Sequence, residues 1–203
     1  PVISQGPKFA FDSNGYVFND KCFMVVGDRE LVALLNSKVT WFWLFGEASP
    51  LRGGKWRLEL REQYMSRLPI PDRPPEVRAR LAGLGEACTD AARERFDIQS
   101  AIRRRVLDLA PPEHRNLTKK LHDWHELEFA AFRAEVKRAF RHDIPVRERG
   151  EWEAYLANNA AQVRALKERI AAAEREIDQI VYALFHLSAD EIALLEASLA
   201  GQY

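Results

Sequence analysis

The sequence predicts an α+β protein: a small mixed, largely antiparallel α/β unit over residues 1–75, then a helical domain over 76–203 built as a long helical hairpin, an antiparallel coiled coil with a helical insertion. Three observations predict it. Short β-prone runs alternate with turn residues before residue 75. After Asp72-Arg73-Pro74-Pro75 glycine thins out and helical periodicity takes over. From Trp152 to Leu184 the apolar positions recur in an unbroken 4-3 alternation.

In chain order, Phe9-Ala10-Phe11, Tyr16-Val17-Phe18 and Cys22-Phe23-Met24-Val25-Val26 read as strands, with turns at Asp12-Ser13-Asn14-Gly15 and Asn19-Asp20. Leu31 to Leu35, continuing into Val39 to Phe45, fits a helix packed on that sheet, with Trp41 and Trp43 read as core aromatics rather than base-stacking residues. Trp56-Arg57-Leu58 is a candidate strand and Leu60 to Met65 a short helix or turn. Leu68-Pro69-Ile70-Pro71 then leaves in extended form, because each proline pushes its predecessor out of the helical region.

The first long helix is expected over 76–109, with Pro75 suited to its first turn and Ala110-Pro111-Pro112 ending it. A helical insertion follows over 113–142 and breaks near Asp143-Ile144-Pro145. The second long helix, 151–186, carries the seam Trp152, Leu156, Asn159, Val163, Leu166, Ile170, Ala173, Ile177, Ile180, Leu184. A rougher seam runs along the first (Val77, Leu81, Leu84, Cys88, Ala91, Ile98, Ile102, Val106, Leu109), so pairing of the two helices is expected, with self-association through the same seam as the competing arrangement. A short helix over 189–199 follows Ser188, with Glu191 three residues on in capping-box spacing.

Lys plus Arg and Asp plus Glu number 30 each, which excludes a wholly basic nucleic-acid coat. The zero is unevenly distributed: residues 1–150 carry a net +5 and residues 151–203 a net −5. The basic stretch Arg52-Gly53-Gly54-Lys55-Trp56-Arg57, followed by Arg61 and Arg67, is the phosphate-contacting candidate. Cys22 and Cys88 lie far apart and form no metal-spaced cluster, so a reduced, cytoplasmic setting is expected. No apolar run approaches the roughly 18–20 residues needed to span a bilayer, so no membrane partner is expected. The chain opens at Pro1 without an initiator methionine, and a piece of a longer protein is expected.

Catalytic arrangements are not found in the pattern. Gly53-Gly54-Lys55 fails the phosphate-loop spacing, since Ser49 stands where the first glycine belongs and Trp56 follows the lysine. His122-Asp123-Trp124-His125-Glu126 is the densest group of potential ligands, but it is not HExxH and needs a third ligand from elsewhere. Surface histidines are the plainer reading, and a hydrolytic metal site the remote one. Neither catalytic nor metal-binding residues are assigned.

Leu34-Leu35-Asn36-Ser37-Lys38, the run Trp41-Phe42-Trp43, Arg52-Gly53-Gly54 and Leu68-Pro69-Ile70-Pro71, in that order, resemble the target-recognition domains of adenine-specific DNA methyltransferases. These include the TaqI-like specificity domain and the C-terminal part of type IIG restriction–modification enzymes. The segment Ile177 to Ile192 is similar to the end of such chains, and Leu121 to Phe132 with Trp152 to Leu156 to their helical insertion. The resemblance implies a sequence-specific DNA-recognition module, with double-stranded DNA and an upstream methyltransferase domain of the same polypeptide as partners. It implies no cofactor in this chain, S-adenosylmethionine being held by the upstream domain. Arg52, Gly53, Gly54, Lys55, Trp56, Arg57, Arg61 and Arg67 are then the DNA-binding candidates, some as phosphate contacts and some as base readers. The alternative is a coiled-coil protein-interaction module without DNA binding.

Overall fold

Helices account for most of the protein, as α1 (Arg29–Leu35), α2 (Lys38–Glu47), α3 (Glu62–Met65), α4 (Pro75–Leu107), α5 (Lys119–His122), α6 (Phe129–Phe140), α7 (Arg149–Leu184) and α8 (Ala189–Gly201). The computed structural model describes residues 3, 4, 6–13, 15–17, 22, 24–51, 57–112 and 116–201, with only the backbone for residues 3, 4, 49–51 and 201. The described strands are β1 (Ile3–Ser4), β2 (Ser49–Leu51) and β3 (Arg57–Glu59), two or three residues each, antiparallel with β3 in the middle. The expected α+β class, with a mixed antiparallel α/β unit at its head, is therefore corrected: the protein is almost entirely helical.

The physical reason lies in what meets the β-prone runs. Strand propensity is realised only when a neighbouring backbone completes the ladder. At Phe9 a side chain does so instead: Asn36 Oδ1 accepts the Phe9 N–H at 3.0 Å while Asn36 Nδ2 donates to the Phe9 carbonyl at 2.9 Å. Residues 9–11, 16, 17, 22 and 24–26 carry no strand. Phe18 and Phe23 of the expected runs lie outside the described residues.

The chain divides into two compact units, unit 1 comprising Pro1–Thr89 with Ala171–Tyr203, and unit 2 comprising Asp90–Ile170. Unit 1 has two apolar clusters. In one, Ala33 and Leu34 of α1 and Val39 of α2 pack with Leu81 and Leu84 of α4, Ile177, Val181 and Tyr182 of α7, and Leu195 of α8. In the other, Leu44 of α2, Ala48, Leu58 of β3 and Leu60 are covered by Trp41, Trp43 and Tyr64.

The helix expected to run unbroken from Leu31 to Phe45 is two helices. Ser37 Oγ accepts the Thr40 N–H at 3.3 Å as the N-cap of α2, and Thr40 Oγ1 donates to the Leu34 carbonyl at 2.8 Å. That exchange satisfies groups left over at the end of α1 and the start of α2. Next to the cap, the Lys38 backbone N–H donates to Asp178 Oδ1 of α7 at 2.8 Å, and Lys38 Nζ reaches Glu196 of α8 at 2.7 Å and Asp178 Oδ2 at 3.7 Å. Tyr182 Oη also donates to Glu196, at 3.0 Å. The Glu196 contact is the main cause that holds the Lys38 ammonium above its ordinary pKa, whereas burial pushes the Asp178 carboxyl up. The buried carboxylate of Glu30 in α1 is held in the same manner: burial opposes its charge, but Arg78 Nε at 2.9 Å and Arg73 Nη2 at 3.2 Å outweigh it and keep its pKa low.

In unit 2, Ile102 and Val106 of α4, Leu121 of α5, Phe132, Val136 and Phe140 of α6, and Leu156, Ala160 and Val163 of α7 enclose one core with Trp124 and Ile144. Phe132 is fully buried and stacks on Trp152 at 6.2 Å between ring centroids. Truncating such a ring to alanine typically removes about 3–5 kcal/mol. The capping box before α8 is formed, with Ser188 N–H donating to Glu191 Oε2 at 2.8 Å and Glu191 N–H donating to Ser188 Oγ at 3.4 Å.

Asp178→Ala leaves the Lys38 amide without its acceptor inside unit 1. Urea titration is expected to show a loss of about 2–3 kcal/mol, with Asp178→Asn, which keeps an acceptor oxygen, costing less. Equal and negligible losses for both variants would show that the contact is not holding α2 to α7.

Candidate nucleic-acid interface

Of the eight DNA-binding candidates, Arg52, Gly53, Gly54, Lys55 and Trp56 lie outside the described residues. The strands on either side of them are described: β2 and β3 pair antiparallel with Leu51 opposite Arg57, Pro50 opposite Leu58 and Ser49 opposite Glu59. Side chains alternate along a strand, so Leu58, 1 % exposed, anchors β3 in the core while Arg57 and Glu59 share the opposite face.

The three described arginines differ in their partners. Arg61 Nη2 turns back onto Glu59 at 3.0 Å, which brings it to the strand face that Arg57 occupies. Arg67 Nη1 pairs with Glu47 at the end of α2, at 3.2 Å, and no described contact brings it to the other two. Arg57 has no carboxylate within ion-pair distance among the described residues. An arginine of this kind retains a full set of guanidinium donors for a phosphate or a guanine edge, where Arg61 and Arg67 must first release a carboxylate.

The motif residues around this hairpin have structural work of their own. Trp41 and Trp43 are half-buried on the cluster beneath β3, which fits core aromatics. Asn36, Ser37 and Lys38 are occupied by the Phe9 backbone, the α2 cap and the α7–α8 carboxylates. The Ser37 cap is local, but the Lys38 contacts reach across 140 and 158 positions of chain, and no local pattern marks those.

The histidine cluster does not converge. His122 at the end of α5 is exposed and faces Asp123 at 3.1 Å, whereas His125 is buried against Gln99 of α4, with 3.2 Å between their nitrogens. Among the described residues no three His, Cys, Asp or Glu side chains come together as a metal site. Unit 1 also holds a largely apolar cavity of about 480 Å³, lined by Phe9, Phe11, Cys22, Met24, Leu31 and Leu35 among others. No helix among the described residues is long and apolar enough to cross a membrane.

Residues 74–181 match the model of a family described as a domain of unknown function, DUF8810, and the match spans more than half of the chain. The chain belongs to that family. No curated protein matches, and no solved structure does. The DUF8810 segment starts just before α4 and ends within α7, so it takes in all of unit 2, while β2, β3 and α1 to α3 lie ahead of it.

The DUF8810 segment contains a titratable weak point. Burial lowers the His125 pKa; Lys167 adds to the effect, Glu126 and Asp123 oppose it less strongly than burial does, and Arg103 makes the smallest further contribution downward. Among the described residues His125 Nδ1 has no hydrogen-bond partner. A histidine whose folded pKa lies below its unfolded value stabilises above the unfolded pKa and loses that contribution as pH falls. Thermal midpoints are therefore expected to drop as pH goes from 7 to 5, and to drop less in His125→Leu. A second loss should follow below about pH 4.5, because the Arg138 hydrogen bonds hold the Glu135 carboxyl down at about 2. Parallel pH profiles for the wild type and His125→Leu would remove His125 as the cause of the first drop.

Proposed function

We propose that the chain is the sequence-specific DNA-recognition module of a site-specific adenine-N6 DNA methyltransferase or restriction–modification protein, with catalysis and S-adenosylmethionine binding carried by another part of the same polypeptide. The observation that carries this reading is Arg57: a cation without a carboxylate partner among the described residues, on a strand whose other face is locked into the core through Leu58. It adjoins the basic, glycine-containing stretch 52–56 in sequence, and the ordered motifs at 34–38, 41–43, 52–54 and 68–71 support the same assignment. A methyltransferase that acts on adenine N6 must extrude the base from the duplex, and a rigidly mounted reader holds the register meanwhile. Phosphate contacts supply position and base edges supply choice.

A protein-interaction reading rests on a different observation. Tyr16, Val17, Met24 and Val26 expose large apolar side chains close to one another in sequence, which is the composition of a docking segment rather than of a free surface. Within the leading proposal, that segment faces the methyltransferase domain. Standing alone, it predicts indifference to DNA.

The test is a titration of the chain with duplex DNA at low salt, comparing the wild type with Arg57→Ala. Weak, salt-sensitive binding by the wild type is expected, reduced in Arg57→Ala by about 1–3 kcal/mol if the arginine reads a base bidentately. Binding that is identical in the two proteins, or absent from the wild type, contradicts the assignment of this face.

A further inference from the structure

Unit 2 carries a second basic surface, at the place where the end of α4, the single turn of α5 and the flank of α6 meet. We propose that Arg103, Lys119 and Lys120 on this surface bind the phosphate backbone of double-stranded DNA irrespective of sequence. α5 turns Leu121 into the core and leaves Lys119, Lys120 and His122 exposed. Arg103 Nε donates to the His122 carbonyl at 3.0 Å, which sets the basic last turns of α4 beside α5. On the other flank Thr118 Oγ1 donates to Glu135 Oε1 at 2.7 Å, so Glu135 and its partner Arg138 stand next to the start of α5.

The carboxylates of this surface are already engaged. Glu135 is buried and held by Arg138 and Thr118, and Asp123 faces His122. Among the described residues Arg103, Lys119 and Lys120 have no carboxylate within ion-pair distance; Asp123 feels the charge of Arg103 and Glu135 that of Lys120, but both carboxylates are bonded to other partners. Cations without an ion-pair partner on an exposed surface attract a polyanion, and their chemistry selects which one. Residues 103–122 contain no Phe, Tyr or Trp, so the stacking platform that single-stranded nucleic acid uses is lacking. Ammonium groups on flexible stems instead make point contacts with phosphates, tolerant of the bases between them. This surface lies within DUF8810 and does not depend on the role assigned to β3.

The experiment compares three forms of the whole chain, wild type, Lys119→Ala/Lys120→Ala and Arg57→Ala, in binding a random-sequence DNA duplex over a range of salt concentrations. Each lost phosphate contact flattens the slope of log K against log salt by about 0.9, so the lysine double variant is expected to show a slope shallower by about 1.8. Its loss of affinity should be the same on every sequence, with an unchanged melting temperature. Arg103→Gln, which keeps a side-chain N–H near the His122 carbonyl, should add about one further unit. An unchanged slope in the lysine variant overturns the proposal, and with a reduced slope in Arg57→Ala it leaves the β3 reading standing. The reverse pattern supports the unit 2 surface and shows that Arg57 makes no phosphate contact. Lysine-dependent binding that is tighter to duplex RNA than to duplex DNA overturns the choice of partner.

Discussion

The Asp178 carboxylate accepts the backbone N–H of Lys38 from 140 positions away, and the arrangement of unit 1 depends on that contact. It places the start of α2 against α7, and the Lys38 ammonium carries the link on to Glu196 of α8. With α2 so fixed, Leu44 and the half-buried Trp41 and Trp43 form the floor on which Leu58 seats β3. Asp178 is nearly inaccessible to water, and burying a carboxylate is costly unless its lone pairs are occupied. The Lys38 amide and ammonium occupy them, so a sequence that looks like a short motif is the fastening of the first part of the chain to the last.

The same rule sorts the arginines. Among the described residues three carboxylates are withdrawn from solvent, Glu30, Glu135 and Asp178, and each has cationic, N–H or O–H partners: Arg73 and Arg78, Arg138 with Thr118, and Lys38. Arg61 and Arg67 are likewise turned onto carboxylates at the surface. Cations engaged in this way hold the fold together and offer little to a ligand. Among the described residues the cations without such partners include Arg57 on β3 and Arg103, Lys119 and Lys120 in unit 2, which the two candidate surfaces offer to an outside anion. A chain of zero net charge thus retains cations without ion-pair partners at these two places, and its C-terminal 53 residues carry the compensating −5.

The helices were readable because their signal is periodic and local. Leu156, Val163, Leu166 and Ile177 of the 4-3 seam are buried, and Pro75 opens α4 where its fixed φ and missing N–H cost nothing. The Ser188–Glu191 box is visible as a spacing of three and is formed as a pair of hydrogen bonds. The β-prone residues 9–11, 16, 17 and 24–26 carry no strand, because strand propensity states a preference for company without naming the companion. Phe9 finds Asn36 in place of a neighbouring strand. The break between α1 and α2 was missed for a related reason, since the apolar run from Leu31 to Phe45 conceals a cap formed by Ser37 and Thr40. For the candidate interface, composition pointed to the arginines but not to their partners, and the partners separate Arg57 from Arg61 and Arg67. The lysine pair at 119–120 carries no glycine or aromatic neighbour that would mark it in the sequence; only the fold sets Arg103 beside α5.

Recognition through a face held rigid from behind implies that DNA orders the face and leaves its support unchanged. Hydrogen exchange of the whole chain with and without duplex DNA reads both at once. Peptides covering residues 49–67 are expected to gain protection when DNA is added, while the Lys38 amide, already bonded to Asp178, exchanges slowly in both conditions. Unchanged exchange across residues 49–67 in the presence of saturating duplex would contradict a DNA-reading role for β2 and β3.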